Sequence, residues 1–113
     1  MNGADIDARI ERVLGLVRSE RWRQISVYGL NENLLNGTGP EVRWAKPANS
    51  SFATDLEDMF RKNYEEQEQV TWMHLVREEI AEAFKEDNPE LLAEELIQVA
   101  ALCVSWVENL QQR

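Results

Sequence analysis

Apolar residues recur at helical spacing in four stretches of the chain, and strict alternation of apolar and polar residues is weak throughout. Between residues 5 and 23, Ile6, Ile10, Val13, Leu14 and Val17 fall on one helical face. Asp5 and Asp7 lie near the start of that stretch and Arg18, Arg21 and Arg23 near its end, the signs that suit a helix dipole. Ser51 is a plausible cap for a second helix running to about Glu66, with Phe52, Leu56, Met59, Phe60 and Tyr64 on its apolar side. After a polar turn at Gln67 and Glu68, Thr71 caps a third helix carrying Leu75, Val76, Ile80, Ala83 and Phe84. Asn88 caps a fourth, with Pro89 at its first position, where a missing N–H costs nothing, and it runs to about Gln111. The expectation is one all-α domain over residues 1–113, a four-helix, bundle-like arrangement that ends in a helical hairpin.

Residues 29 to 50 break the pattern. Gly29, Asn31, Asn33, Asn36, Gly37, Gly39, Pro40, Pro47 and Asn49 punctuate them, which predicts a long loop. Loops of this length inside a compact domain are uncommon, and they are either functional or unstructured connections.

The polar positions carry more information once they are placed on the helices. At ~100° per residue, the apolar arc of the third helix runs from Leu75 through Trp72, Ala83, Val76 and Ile80 to Phe84. Glu79 falls inside that arc and Glu82 at its edge, whereas Glu78 points further out and Arg77 lies off it. On the fourth helix Glu95 falls between Leu102 and Trp106, and Gln98 sits at the edge beside Leu91. Glu79 and Gln98 are equidistant from the Asn88-Pro89 turn, and so are Glu82 and Glu95. Residues three apart stack on one helix face, so folding the chain back at Pro89 sets one pair opposite the other. An ionised carboxylate buried without a partner costs several kcal/mol. A hard divalent cation, which takes oxygen ligands, removes that cost, as does a shared proton. Scattered solvated acids are the plain alternative in a chain with 21 Asp and Glu.

The charge balance supports the same partners. With 12 Lys and Arg the formal net charge is −9, which argues against gripping a nucleic-acid polymer. A phosphorylated small molecule remains possible if metal ions bring the positive charge. The lone Cys103 cannot form an internal disulfide, so a reducing cytoplasm is the expected compartment. The start of the chain has neither the basic residues nor the apolar stretch of an export signal. The longest nearly apolar run, Val99 to Val107, is far short of the roughly 20 residues that span a bilayer, so no membrane partner is expected. That run covers almost the whole circumference of the fourth helix, which predicts burial on all sides. A homo-oligomer, dimer or tetramer, would supply it; a helix central to its own bundle is the alternative.

Other side chains are weaker candidates. His74, the only histidine, lies off the apolar arc and is expected at the surface. Trp72 and Trp106 fit core positions, while Trp44, in the predicted loop, is free to stack on a base. Arg21, Arg23 and Lys62 could meet phosphates, and each is equally suited to a solvated surface. No P-loop, GxGxxG or Cys/His zinc spacing is present.

Glu78-Glu79-Ile80-Ala81-Glu82, followed by Glu95-Leu96-Ile97-Gln98, resembles the EExxE…ExxD signature of the MazG-like all-α nucleoside triphosphate pyrophosphohydrolases. Trp72-Met73-His74-Leu75 before it and Val99-Ala100-Ala101 after it are similar to the small phage and actinobacterial branch. So are Glu20-Arg21-Trp22-Arg23-Gln24, Tyr28-Gly29 and Gly37-Thr38-Gly39-Pro40. The resemblance implies a MazG fold that cleaves a (d)NTP to a (d)NMP and pyrophosphate with Mg²⁺, or Mn²⁺ in its place. It implies Glu79, Glu82, Glu95 and Gln98 as metal ligands, with Glu78, Glu79 and Glu82 in the catalytic set. Tyr28, Asn31 and Asn33 become candidates for base or ribose contacts, alongside Arg21 and Trp44 as substrate-binding candidates. Gln98 stands where the family has aspartate; an amide oxygen can ligate Mg²⁺ but brings no charge. That departure, with the net charge, keeps a second reading open: a non-catalytic acidic helical module that binds nucleotide or a protein partner.

Overall fold

The computed structural model describes residues 2–29, 34–38 and 71–112. Among them the regular structure is helical: α1 (Gly3–Tyr28), α2 (Trp72–Phe84) and α3 (Pro89–Gln111). The all-α expectation holds for these residues. The predicted helix over 51–66, and with it the four-helix count, lies outside the described residues, as does most of the predicted loop. No described helix is long and apolar enough to cross a membrane.

α1 starts two residues earlier and ends five later than its apolar pattern predicts. The Asn2 side chain accepts from the Asp5 N–H at 2.9 Å, a cap worth about 1 kcal/mol. At the far end Gly29 adopts φ 64°, and its N–H donates to the Gln24 and Ile25 carbonyls. That left-handed residue closes the helix. Of the predicted stripe only Val17 is buried, while Ile6, Ile10, Val13 and Leu14 are each nearly half exposed. The side-chain hydrogen bonds from α1 to α3 lie further along the helix, from Arg21 to Glu108 and from Gln24 to Gln98.

α2 and α3 form the expected hairpin. Asn88 caps α3 by accepting from the Glu90 and Leu91 N–H groups at 2.9 and 3.2 Å, with Pro89 following it. At the open end of the hairpin the Trp72 indole N–H donates to Asn109 at 3.3 Å. α3 packs against both α1 and α2. It is therefore the common wall of the described fold, buried at Ala101, Leu102 and Ser105. It is not buried all round within the chain: Leu91, Leu96, Val104, Val107 and Leu110 are exposed.

The buried face of α2 also departs from the wheel. Trp72, Val76 and Ala83 are buried as expected, but Phe84 is 51% exposed, and Arg77, placed off the stripe, is 4% exposed. Burial lowers the Arg77 pKa from 12.5 to about 10, because the charged form is stripped of water. The buried arc is thus shifted round the helix towards Arg77 and Ala81.

Residues 34–38 are drawn against the start of α2. Leu35 pairs with Thr71 in an isolated parallel bridge. The Leu35 and Asn36 carbonyls accept from the Trp72 and Met73 N–H groups at 2.9 and 3.0 Å. The Thr71 hydroxyl accepts from His74 and its carbonyl from Leu75, so the whole first turn of α2 has partners. The Asn36 side chain also accepts from the Trp106 indole N–H at 2.9 Å, tying this segment to α3. Gly37 sits at φ 73°, and a Cβ there would collide with the Thr71 side chain, 2.7 Å from its Cβ. Replacing Gly37 with alanine combines that clash with left-handed strain. A loss of about 2 kcal/mol of unfolding free energy is expected. Urea denaturation of Gly37→Ala against the parent chain measures it; an unchanged midpoint would contradict the clamp.

Candidate metal centre and adjoining cleft

Each wall of the site comes from a different helix. Glu79 and Glu82 project from α2 three residues apart, and Glu95 projects from the facing turn of α3. The hairpin brings one carboxylate oxygen of each within 4.8 Å of the others. The juxtaposition expected from the spacing about Pro89 is present for these three acids. Glu82 is exposed, whereas Glu79 and Glu95 are half-buried. The Oε2 atoms of Glu79 and Glu95 are both covered, and no basic or amide group among the described residues donates to them.

That geometry perturbs Glu79. Its pKa rises from 4.5 to about 7. Loss of water is the largest cause, followed by the charges of Glu82 and Glu95, a hydrogen bond with Glu95, and the charge of Glu78. In the metal-free protein Glu79 can thus hold a proton that it donates to Glu95 around neutral pH.

The cluster borders a cleft of about 500 Å³. Glu78, Glu79 and Gln98 form its polar side, and Leu34, Leu75 and Leu102 supply apolar surface. The end of α1 closes it with Arg23, Gln24, Tyr28 and Gly29. Gln98 therefore faces the same space as Glu79, and the Gln24 amide donates to its backbone carbonyl at 3.2 Å. Gln24 is 4% exposed, and its Oε1 accepts nothing.

The other candidates divide clearly. Tyr28 lines the cleft, with its ring under the Arg23 guanidinium at 5.6 Å. Arg23 is held by Glu20 through two contacts of 2.7 and 2.6 Å, so its charge is largely offset. Arg21 does not line the cleft; it forms a 2.8 Å ion pair with Glu108. Trp22 is exposed, and Trp72 and Trp106 donate their indole N–H groups to Asn109 and Asn36, which suits structural roles. Asn31, Asn33, Trp44 and Lys62 lie outside the described residues. His74 corrects the surface expectation: its side chain is only 13% exposed, and Nε2 lies 3.2 Å from a Glu78 carboxylate oxygen. Helical spacing of four residues could have flagged that pair. Gln24 was legible too, seven residues beyond Val17 on the buried stripe of α1.

No protein-family model matches the chain, and no curated protein or solved structure matches it.

The raised pKa of Glu79 makes a signed prediction. The folded state binds this proton more tightly than the unfolded chain, so its contribution to stability is complete below pH 4.5. It is lost as pH rises through about 7. With chelator present, Glu79→Gln should flatten this part of the stability profile and melt above the parent chain at pH 8. Melting curves at pH 5 and pH 8 test this; a parallel pH dependence in both proteins would contradict it.

Proposed function

We propose that the chain is a Mg²⁺-dependent nucleoside triphosphate pyrophosphohydrolase that converts a (d)NTP and water to a (d)NMP and pyrophosphate. One observation carries the reading: three carboxylates from two helices converge, and two of their oxygens are buried with no donor. Covered carboxylate oxygens without a donor are costly, and a divalent cation that takes oxygen ligands would offset that cost while keeping waters on its open side. The donor set suits a hard divalent ion, since every ligand is oxygen and the charge is high. The cleft beside it has space for a nucleotide-sized ligand. The family resemblance of the EExxE…ExxQ arrangement supplies the reaction.

In this reading Glu79, Glu82 and Glu95 hold the metal, and Gln98 adds a neutral oxygen ligand. Bound there, Mg²⁺ offsets triphosphate charge and makes water a better nucleophile. Glu78, which lines the cleft and pairs with His74, is the candidate base for the attacking water in this reading. Leu34, Leu75 and Leu102 exclude water from one side of the substrate, and Tyr28 offers a face for the base. The exposed apolar residues of α1 and α3 fit a homo-oligomer, which velocity sedimentation would register as a species larger than the 13.1 kDa chain.

The neutral Gln98 gives the second reading its footing, a module that binds nucleotide without turnover. Pyrophosphate release from a panel of canonical and modified (d)NTPs, with and without Mg²⁺, separates the two. Release that requires Mg²⁺ is expected, and Glu79→Ala should lower it by ~100-fold or more. Gln98→Asp should reduce the Mg²⁺ concentration needed for half-maximal rate, because a fourth charge strengthens the ligand set. Folded protein that releases no pyrophosphate from any nucleotide would overturn the enzyme reading. Full activity in Glu79→Ala would overturn the assignment of the site.

A further inference from the structure

The acidic cluster explains the orphaned oxygens of Glu79 and Glu95, but not that of Gln24. This side chain belongs to α1, on the opposite wall of the cleft, and is more than nine-tenths buried. Its amide orientation follows from chemistry. Nε2 donates to the Gln98 carbonyl at 3.2 Å, and the flipped amide would set two oxygens against each other. Oε1 is thereby fixed as an acceptor, with no donor among the described residues. A buried amide oxygen left this way carries a desolvation cost of ~1–3 kcal/mol.

We propose that Gln24 is a specificity-determining residue that accepts a hydrogen bond from the nucleoside part of the substrate. This rests on the nucleotide reading of the cleft. The triphosphate carries only acceptors at neutral pH and cannot satisfy Oε1. A base N–H or a sugar O–H can. The side-chain rotations that commonly accompany binding give such a donor access to an oxygen now covered by its neighbours. The position suits the task. Gln24 stands one turn before Tyr28, whose ring faces the same cleft, and it is tethered to the backbone of Gln98 opposite. A site built to accept from a substrate donor rejects analogues lacking it far more strongly than an apolar wall does.

The test measures binding, so it does not depend on turnover. The probes are α,β-imido analogues of the canonical nucleoside triphosphates, with inorganic tripolyphosphate as the probe lacking a nucleoside, all with Mg²⁺ and followed by calorimetry. The parent chain should prefer some analogues over others by ~10-fold or more. Gln24→Met, close in size, should remove that preference and leave tripolyphosphate affinity within about twofold. On the parent chain, base-methylated and dideoxy forms of the preferred analogue locate the donor. Loss of ~10-fold affinity in one series assigns base or sugar even if the variant does not fold. Tripolyphosphate and nucleotide weakened alike in Gln24→Met would make Gln24 a metal or phosphate ligand instead and overturn the inference. So would a parent chain that binds all analogues equally, or none. Selective binding without pyrophosphate release would overturn the enzyme reading while leaving the role of Gln24 standing.

Discussion

Three carboxylates crowd one face of the α2–α3 hairpin, and two of them are partly cut off from water. Like charges held this close repel, and loss of solvent removes the screening that would make the repulsion tolerable. Among the described residues no basic or amide group donates to the covered oxygens of Glu79 and Glu95. The Arg23 guanidinium, which lines the cleft, is engaged by Glu20. A shared proton on Glu79 is the relief the chain can provide alone, and its raised pKa registers that. A cation is the relief that would also give the arrangement a use.

The rest of the described structure serves to hold that face in place. α3 is the common wall for α1 and α2, so the position of Glu95 and Gln98 is fixed from both sides. Residues 34–38 satisfy the first turn of α2 and bond to Trp106 on α3, which locks the open end of the hairpin. Gly37 allows that approach because a side chain there would meet Thr71. The end of α1, stopped at Gly29, brings Gln24 and Tyr28 to the other side of the cleft. One side of the cleft thus carries carboxylates, and the other carries Arg23 beside Gln24 and the Tyr28 ring.

Much of the site was legible because helical spacing is a strong constraint. Asn88-Pro89 marks a sharp turn, and residues counted equally outward from it must meet across the hairpin. Glu79, Glu82 and Glu95 follow from that rule alone. The errors came where tertiary contacts override the wheel. Arg77 is buried and Phe84 exposed because the buried face of α2 is rotated from its most apolar arc. His74 was misplaced because a wheel treats each residue singly and does not weigh its pairing with Glu78. Ile6, Ile10, Val13 and Leu14 have the pattern of a core stripe, yet each is nearly half exposed, and the side-chain hydrogen bonds of α1 to α3 lie further on, at Arg21 and Gln24. The bridge between Leu35 and Thr71 had no signal, since it depends on backbone groups that any sequence carries.

The central claim is that the Glu79–Glu82–Glu95 cluster is a cation site rather than a group of crowded acids. Anomalous diffraction from crystals grown with Mn²⁺ tests it most directly, because it locates the ion without reference to activity or substrate. A peak in direct contact with carboxylate oxygens of all three residues is expected, absent in crystals of Glu79→Gln. Mn²⁺ bound elsewhere, or no bound ion with the three carboxylates still converged, would contradict it.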